Sequence, residues 1–238
     1  MKFLLALFMI AALPVWAQWK WPEKGQNLKI LPKDTKPEEL RNAMIEHVNG
    51  LGVRCTYCHV GEEGKPLTEF DFLSDAKRPK LIAREMMAMV KTINSQLIRN
   101  AVKDNPEPIE VTCTTCHHGS PKPRKIEDLL IETYTSKGVD SLKTLYKNLR
   151  EQYYGSFVYD FREGVLLRVC DRLKTADDAA VLANFNAEFF PTERTYMTVG
   201  GWMKQKGDKA GAIQAYEKVL SINPKNAQAQ KQINELKK

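Results

Sequence analysis

Leu51-Gly52-Val53-Arg54-Cys55-Thr56-Tyr57-Cys58-His59 and, further along, Val111-Thr112-Cys113-Thr114-Thr115-Cys116-His117 are two copies of one pattern, C-x-x-C-H. That spacing is how a haem is attached to a chain. The two thiols add to the haem vinyl groups and leave thioether bonds, and the histidine that follows is held against the iron as its proximal ligand. One such motif also fits a redox dithiol or half of a zinc site. Two in matching contexts are a stronger signal. A zinc site built from both pairs explains neither adjacent histidine, nor the long stretch between the pairs. The reading is two covalently bound haems c, through Cys55, Cys58, Cys113 and Cys116, with His59 and His117 on the irons.

Each motif is preceded by an amphipathic helix. Leu40, Met44, Val48 and Leu51 recur at helical spacing and predict a helix over 37–50, stopped by Gly50 and Gly52. Ile82, Met86, Val90, Ile93 and Leu97 predict another over 80–99, with Pro79 at its start. Residues 60–78 read as a loop, and Pro106 and Pro108 mark a linker. The front half is thus one unit used twice: helix, loop, attachment motif.

The first residues carry Lys2 and an apolar run, Phe3 to Leu13, then Pro14 and Val15-Trp16-Ala17. This is the layout of a secretory signal peptide cleaved after Ala17. The run is shorter than the ~20 residues a spanning helix needs. An exported chain implies a periplasmic or otherwise extracytoplasmic protein. The formal charge of +7 is spread over scattered lysines without interleaved aromatics, so nucleic acid is not an expected partner. Trp19 and Trp21 fall in a stretch, 18–37, that reads as an irregular, flexible lead-in.

From 126 onward the pattern changes to helices near 126–137, 140–153, 160–174, 176–189, 194–206, 208–221 and 226–237, with no strand pattern. Gly200, Gly207-Asp208, Ala212, Tyr216 and Pro224 match the 34-residue tetratricopeptide pattern over about 193–226. A single repeat cannot bury its own apolar face, so the preceding helices are expected to complete a short solenoid. Cys170 lies in an apolar helical run and reads as a buried structural thiol. Tyr153, Tyr154 and Tyr159 read as packing aromatics. The expected fold is all-α: a signal peptide (1–17), a haem-packed cytochrome c domain (18–125), and a short tetratricopeptide-like α-solenoid (126–238).

The sixth ligand decides what such a haem does. His118 directly follows a proximal ligand and cannot reach the opposite face of the same haem. His47 on the first helix can serve, and so can several methionines: Met44, Met86, Met87 and Met89. Spacing alone leaves these open, since methionine is also an ordinary core residue.

The stretches Leu51–His59, Ala83-Arg84-Glu85-Met86-Met87-Ala88-Met89 with Ile93-Asn94, and Cys113-Thr114-Thr115-Cys116-His117-His118-Gly119 resemble the tetrahaem cytochrome subunit of bacterial photosynthetic reaction centres. The resemblance covers about residues 38–121 and leaves out the helical tail. It implies that Met44 is the distal ligand of the first haem and Met86 of the second. The family subunit carries four haems where this chain has two motifs, so the chain resembles one half of it. The resulting expectation is an electron carrier, not an enzyme, passing electrons between redox partner proteins, a membrane electron-transfer complex among them, with the tail docking to protein. The competing expectation is a dihaem peroxidase-like enzyme with one open iron.

Overall fold

The computed structural model describes residues 19–103, 107 and 109–238. The expected signal peptide lies outside the described residues. Two compact units divide between Cys116 and His117. That is ahead of the 125/126 boundary expected from proline spacing. Residues 117–125 hold to the second unit, where Val158 lies against Gly119 and leaves a Cβ there only 3.3 Å of room.

In the first unit α1 runs Pro37–Leu51. Pro37 at its first turn needs no N–H partner, and Glu39 accepts from the Lys36 N–H at 3.1 Å. The helix ends where Gly52 turns left-handed, at φ 63°, and its N–H bonds back to Asn49. A single turn, α2 (Cys55–Cys58), follows. The loop beyond it carries a 3-10 turn (Leu67–Glu69) and one isolated bridge, Val60 to Asp71. The second long helix, α3 (Arg78–Thr92), runs on through a π-helical turn (Ile93–Ile98) into the short α4 (Arg99–Ala101). Asn94 sits in that π turn, of a kind that often marks functional positions. Its side-chain amide donates to the Val111 carbonyl at 2.8 Å, and its oxygen accepts from the Val111 N–H at 2.9 Å. This anchors the chain just before α5 (Cys113–His117), the second attachment motif.

The second unit contains α6 (Ile126–Lys137), α7 (Val139–Tyr153), α8 (Gly164–Cys170), α9 (Ala176–Ala187), α10 (Glu193–Gln205), α11 (Lys209–Ile222) and α12 (Ala227–Leu236). From α9 onward each helix packs on the next. Each of these four starts on a side-chain cap: Thr175 to Asp178 N, Thr192 to Thr195 N, Asp208 to Gly211 N and Asn226 to Ala229 N, at 2.8–3.1 Å. The helix expected over 160–174 is shorter. Asp160 accepts the Arg162 N–H at 2.9 Å, a local bond that competes with helix formation. Tyr146 is the centre of the core, with edge-to-face contacts to Phe161, Phe185 and Phe189 at 5.5–5.8 Å between centroids. Cys170 is fully buried, and burial pushes its thiol up to about 12, so it is inert.

Gly200 and Gly201 are neighbours on α10 with opposite surroundings. A Cβ on Gly200 would meet the Tyr216 ring at 2.5 Å, and one on Gly201 would meet nothing within 4 Å. Gly200→Ala should therefore destabilise the second unit by about 1–3 kcal/mol through overpacking. Gly201→Ala should stabilise it by roughly 0.5–1 kcal/mol, since only the backbone entropy of glycine is removed. Denaturant midpoints of the two variants check this. Equal shifts in one direction would contradict the close packing of α10 on α11.

Candidate haem-attachment sites

The first site forms where α1 ends and α2 begins. His59 caps α2 in an extended conformation, and its N–H bonds to the Cys55 carbonyl at 2.9 Å. The Lys77 ammonium donates to the Thr56 carbonyl inside the motif. The His59 ring lies edge-on to Phe72 at 4.9 Å, and Phe72 also packs against Trp19 at 5.2 Å and Phe70 at 5.7 Å. Trp19 is thus part of the site, which corrects the expectation of a flexible lead-in: the aromatic face of Phe72, far along the chain, gives it something to pack on.

The loop carrying Phe72 is held by ions. Lys80, almost fully buried, donates to the carbonyls of Phe72 at 2.8 Å and Ser74 at 2.7 Å and pairs with Asp75 at 3.2 Å. Arg84 pairs with Asp75 at 2.9 Å and donates to the Asn27 carbonyl at 3.1 Å. The Arg84 hydrogen bond, with Lys80 and Asn27 adding to it, holds the Asp75 carboxyl well below the usual carboxylate range. Burial, with Lys80, Lys77, Arg84 and His47 contributing, lowers the His59 imidazole to about 4. The ring is therefore neutral, the form that ligates a metal.

At the second site Gly50 of α1 faces Cys113. A Cβ on Gly50 would fall 2.9 Å from the Cys113 Cβ and 3.0 Å from the Thr114 nitrogen, so only glycine fits. One turn earlier Glu46 accepts from the Thr114 N–H at 3.3 Å and from its hydroxyl at 3.2 Å. After the motif, His118 (φ 50°) and Gly119 (φ 89°) are both left-handed, and the Ser120 N–H returns to the His117 carbonyl at 2.9 Å. This is a type I′ turn, for which glycine is suited and histidine tolerable. It brings the Ser120 carbonyl 2.8 Å from His117 Nδ1. A carbonyl only accepts, so Nδ1 carries the proton and Nε2 keeps its lone pair. The His-Gly pair was a local signal for this turn that motif reading passed over.

The distal candidates lie on α1 and α3. Met44 is half-buried on α1. His47, one turn on, engages the Ala43 carbonyl through Nδ1, and its Nε2 is buried without a partner. On α3, Ile82 is 47% exposed, Met86 40%, Met89 46%, and Leu97 beyond it 58%. Of the apolar stripe, Ile82, Met86 and Leu97 are thus exposed, while Val90 and Ile93 are half-buried.

These observations fit haem. All four motif cysteines are unpaired thiols. His59 Nδ1 and His47 Nε2 are buried polar atoms without partners. A cleft of about 330 Å³ opens beside Cys55, lined by Val48, Thr56, Leu67 and Phe70 among others. Among the described residues of the first unit, Leu40 is the one buried apolar side chain. An apolar disc attached at a motif would supply the missing core. Among the described residues no three His, Cys, Asp or Glu side chains converge as a metal cluster needs.

The arrangement is that of a c-type cytochrome, in which covalently held haem is part of the fold. The family described as photosynthetic reaction centre cytochrome c subunit matches residues 22–199, and the chain belongs to it. The match passes the second motif and runs into α10, so most of the helices set apart as a tail lie within the family's span. The chain is 33% identical over 102 residues to the photosynthetic reaction center cytochrome c subunit of Rubrivivax gelatinosus, covering 42% of this chain and 24% of that protein. It is 35% identical over 79 residues to cytochrome c-554 of Chloroflexus aurantiacus, covering 33% and 17%. It is 29% identical over 107 residues to the reaction center cytochrome c subunit of Thermochromatium tepidum, covering 44% and 23%. The matched stretches span about a quarter or less of the length of these relatives.

Proposed function

We propose that this chain is an exported electron carrier holding two covalently bound haems c, one at each motif. Haem supplies one-electron chemistry at its iron, and the chain makes and breaks no substrate bond. Cys55 and Cys58 hold the first haem and Cys113 and Cys116 the second; His59 and His117 are the proximal ligands. Met44 and Met86 are the distal ligands, each on the long helix that precedes its motif in the chain. The partners are one-electron redox proteins outside the cytoplasm, in the manner of a membrane electron-transfer complex, and the C-terminal helices, a tetratricopeptide-like array, dock to protein. Among the described residues no helix is long and apolar enough to cross a membrane.

The observation that carries this reading is Met86, exposed on α3 between the exposed Ile82 and Leu97, in a unit whose described residues bury one apolar side chain, Leu40. Optical spectra of the haem-loaded protein test it. Two haems per chain, the near-infrared sulfur-to-iron band and no carbon monoxide shift on reduction are expected. Met86→Ala should remove part of the sulfur band, open one iron to carbon monoxide and lower one reduction potential, since thioether ligation raises it. Unchanged spectra would refute the Met86 assignment. Carbon monoxide binding by the unaltered protein would favour the peroxidase-like alternative. His47 is the competing donor at the first haem, because its Nε2 is buried and unpartnered. A sulfur band from one haem only would assign that position to it.

A further inference from the structure

The two motifs are near-copies, yet the groups that grip them are opposite in sign. The second residue of each motif is threonine. At Thr56 the partner is a cation: the Lys77 ammonium on the backbone carbonyl. At Thr114 it is an anion: the Glu46 carboxylate on the N–H and hydroxyl. The proximal histidines differ as well. His117 donates Nδ1–H to the Ser120 carbonyl at 2.8 Å, whereas His59 Nδ1 is buried without any partner.

Each difference acts on a reduction potential in a known direction. Reduction removes one positive charge from the iron. A nearby cation therefore favours the reduced form and raises the potential, and a nearby anion lowers it. A histidine that donates its second N–H to a carbonyl is a more basic ligand, which favours ferric iron and lowers the potential. Lys77 and the unbonded His59 both raise the first site, and Glu46 and the Ser120 carbonyl both lower the second.

We infer that the chain is built with a fixed internal direction: the first site has the higher potential, and electrons pass from the second motif to the first. The step balances within the chain, since one electron leaves ferrous iron at His117 and reduces ferric iron at His59, with no bond made or broken. An external one-electron donor then acts at the second site and an external one-electron acceptor at the first. This inference rests on the proposed function, with a methionine at both distal positions so that ligand type does not separate the sites.

A potentiometric titration of the haem-loaded full chain, followed optically, tests it. Two resolved waves are expected. Glu46→Gln should shift only the lower wave, upward, and Lys77→Gln only the higher wave, downward. If one variant fails to fold, the other still assigns its wave. A single unresolved wave, or Glu46→Gln moving the higher one, would overturn the inference. Haem content and the near-infrared band are read on the same samples. One haem per chain, or a sulfur band from one haem only, would instead overturn the underlying assignment.

Discussion

With Cys55, Cys58, Cys113 and Cys116 all replaced by serine and the chain produced without haem, residues 19–116 will lose their fold while the C-terminal helices keep theirs. Ordering a residue costs about 1–2 kcal/mol of backbone entropy. Against that sum the described residues of the first unit set one buried apolar side chain, Leu40, worth roughly 1.5–3 kcal/mol. Its ion pairs around Asp75 join the mostly buried Lys80 and Arg84 to a partly exposed carboxylate, and desolvation of the two cations offsets much of their attraction. The second unit buries Leu130, Leu142, Tyr146, Leu166, Leu182 and Val219 completely and needs no cofactor to do so. Limited proteolysis with mass analysis checks this. A resistant fragment beginning near His117 is expected. A resistant front half would show that the haems are passengers in a fold that stands without them.

Tyr146→Ala should cost the second unit about 3–5 kcal/mol. The side chain is wholly buried and meets Phe161, Phe185 and Phe189 at once, so α9 and the segments before α8 and after α9 lose their common contact. Neighbouring aromatic rings are too rigid to close the cavity fully. Denaturant unfolding followed by far-UV circular dichroism gives the number, and a loss below about 1 kcal/mol would mean the site collapses around the missing ring. The haem spectrum of the loaded protein is the control, because the four cysteines proposed to attach haem all lie in the first unit.

The helices and the two C-x-x-C-H motifs were readable from sequence because both are local. A stripe such as Leu40, Met44, Val48 and Leu51 repeats at the helical period, and C-x-x-C-H is contiguous. What sequence did not show is what the stripe of α3 faces. Periodicity marks an apolar side, not its partner, and Met86 and Leu97 turned out to be uncovered. Contacts across long stretches of chain were equally hidden: Trp19 on Phe72, Lys77 on Thr56, Glu46 on Thr114. Each joins residues that no local pattern couples. The shortened α8 was missed for the opposite reason, since Asp160 rewrites the helix start through a bond two residues long.

Gly50 fixes one more property. It lets α1 lie directly on Cys113, while the chain leaves that helix at Gly52 and reaches Cys55 three residues on. Five residues of chain span ~18 Å at full extension, so Cys55 and the contact with Cys113 are joined by a connection of bounded length. Tunnelling rates fall exponentially with separation, so haems held at Cys55 and Cys113 would sit no further apart than this short connection within the first unit allows.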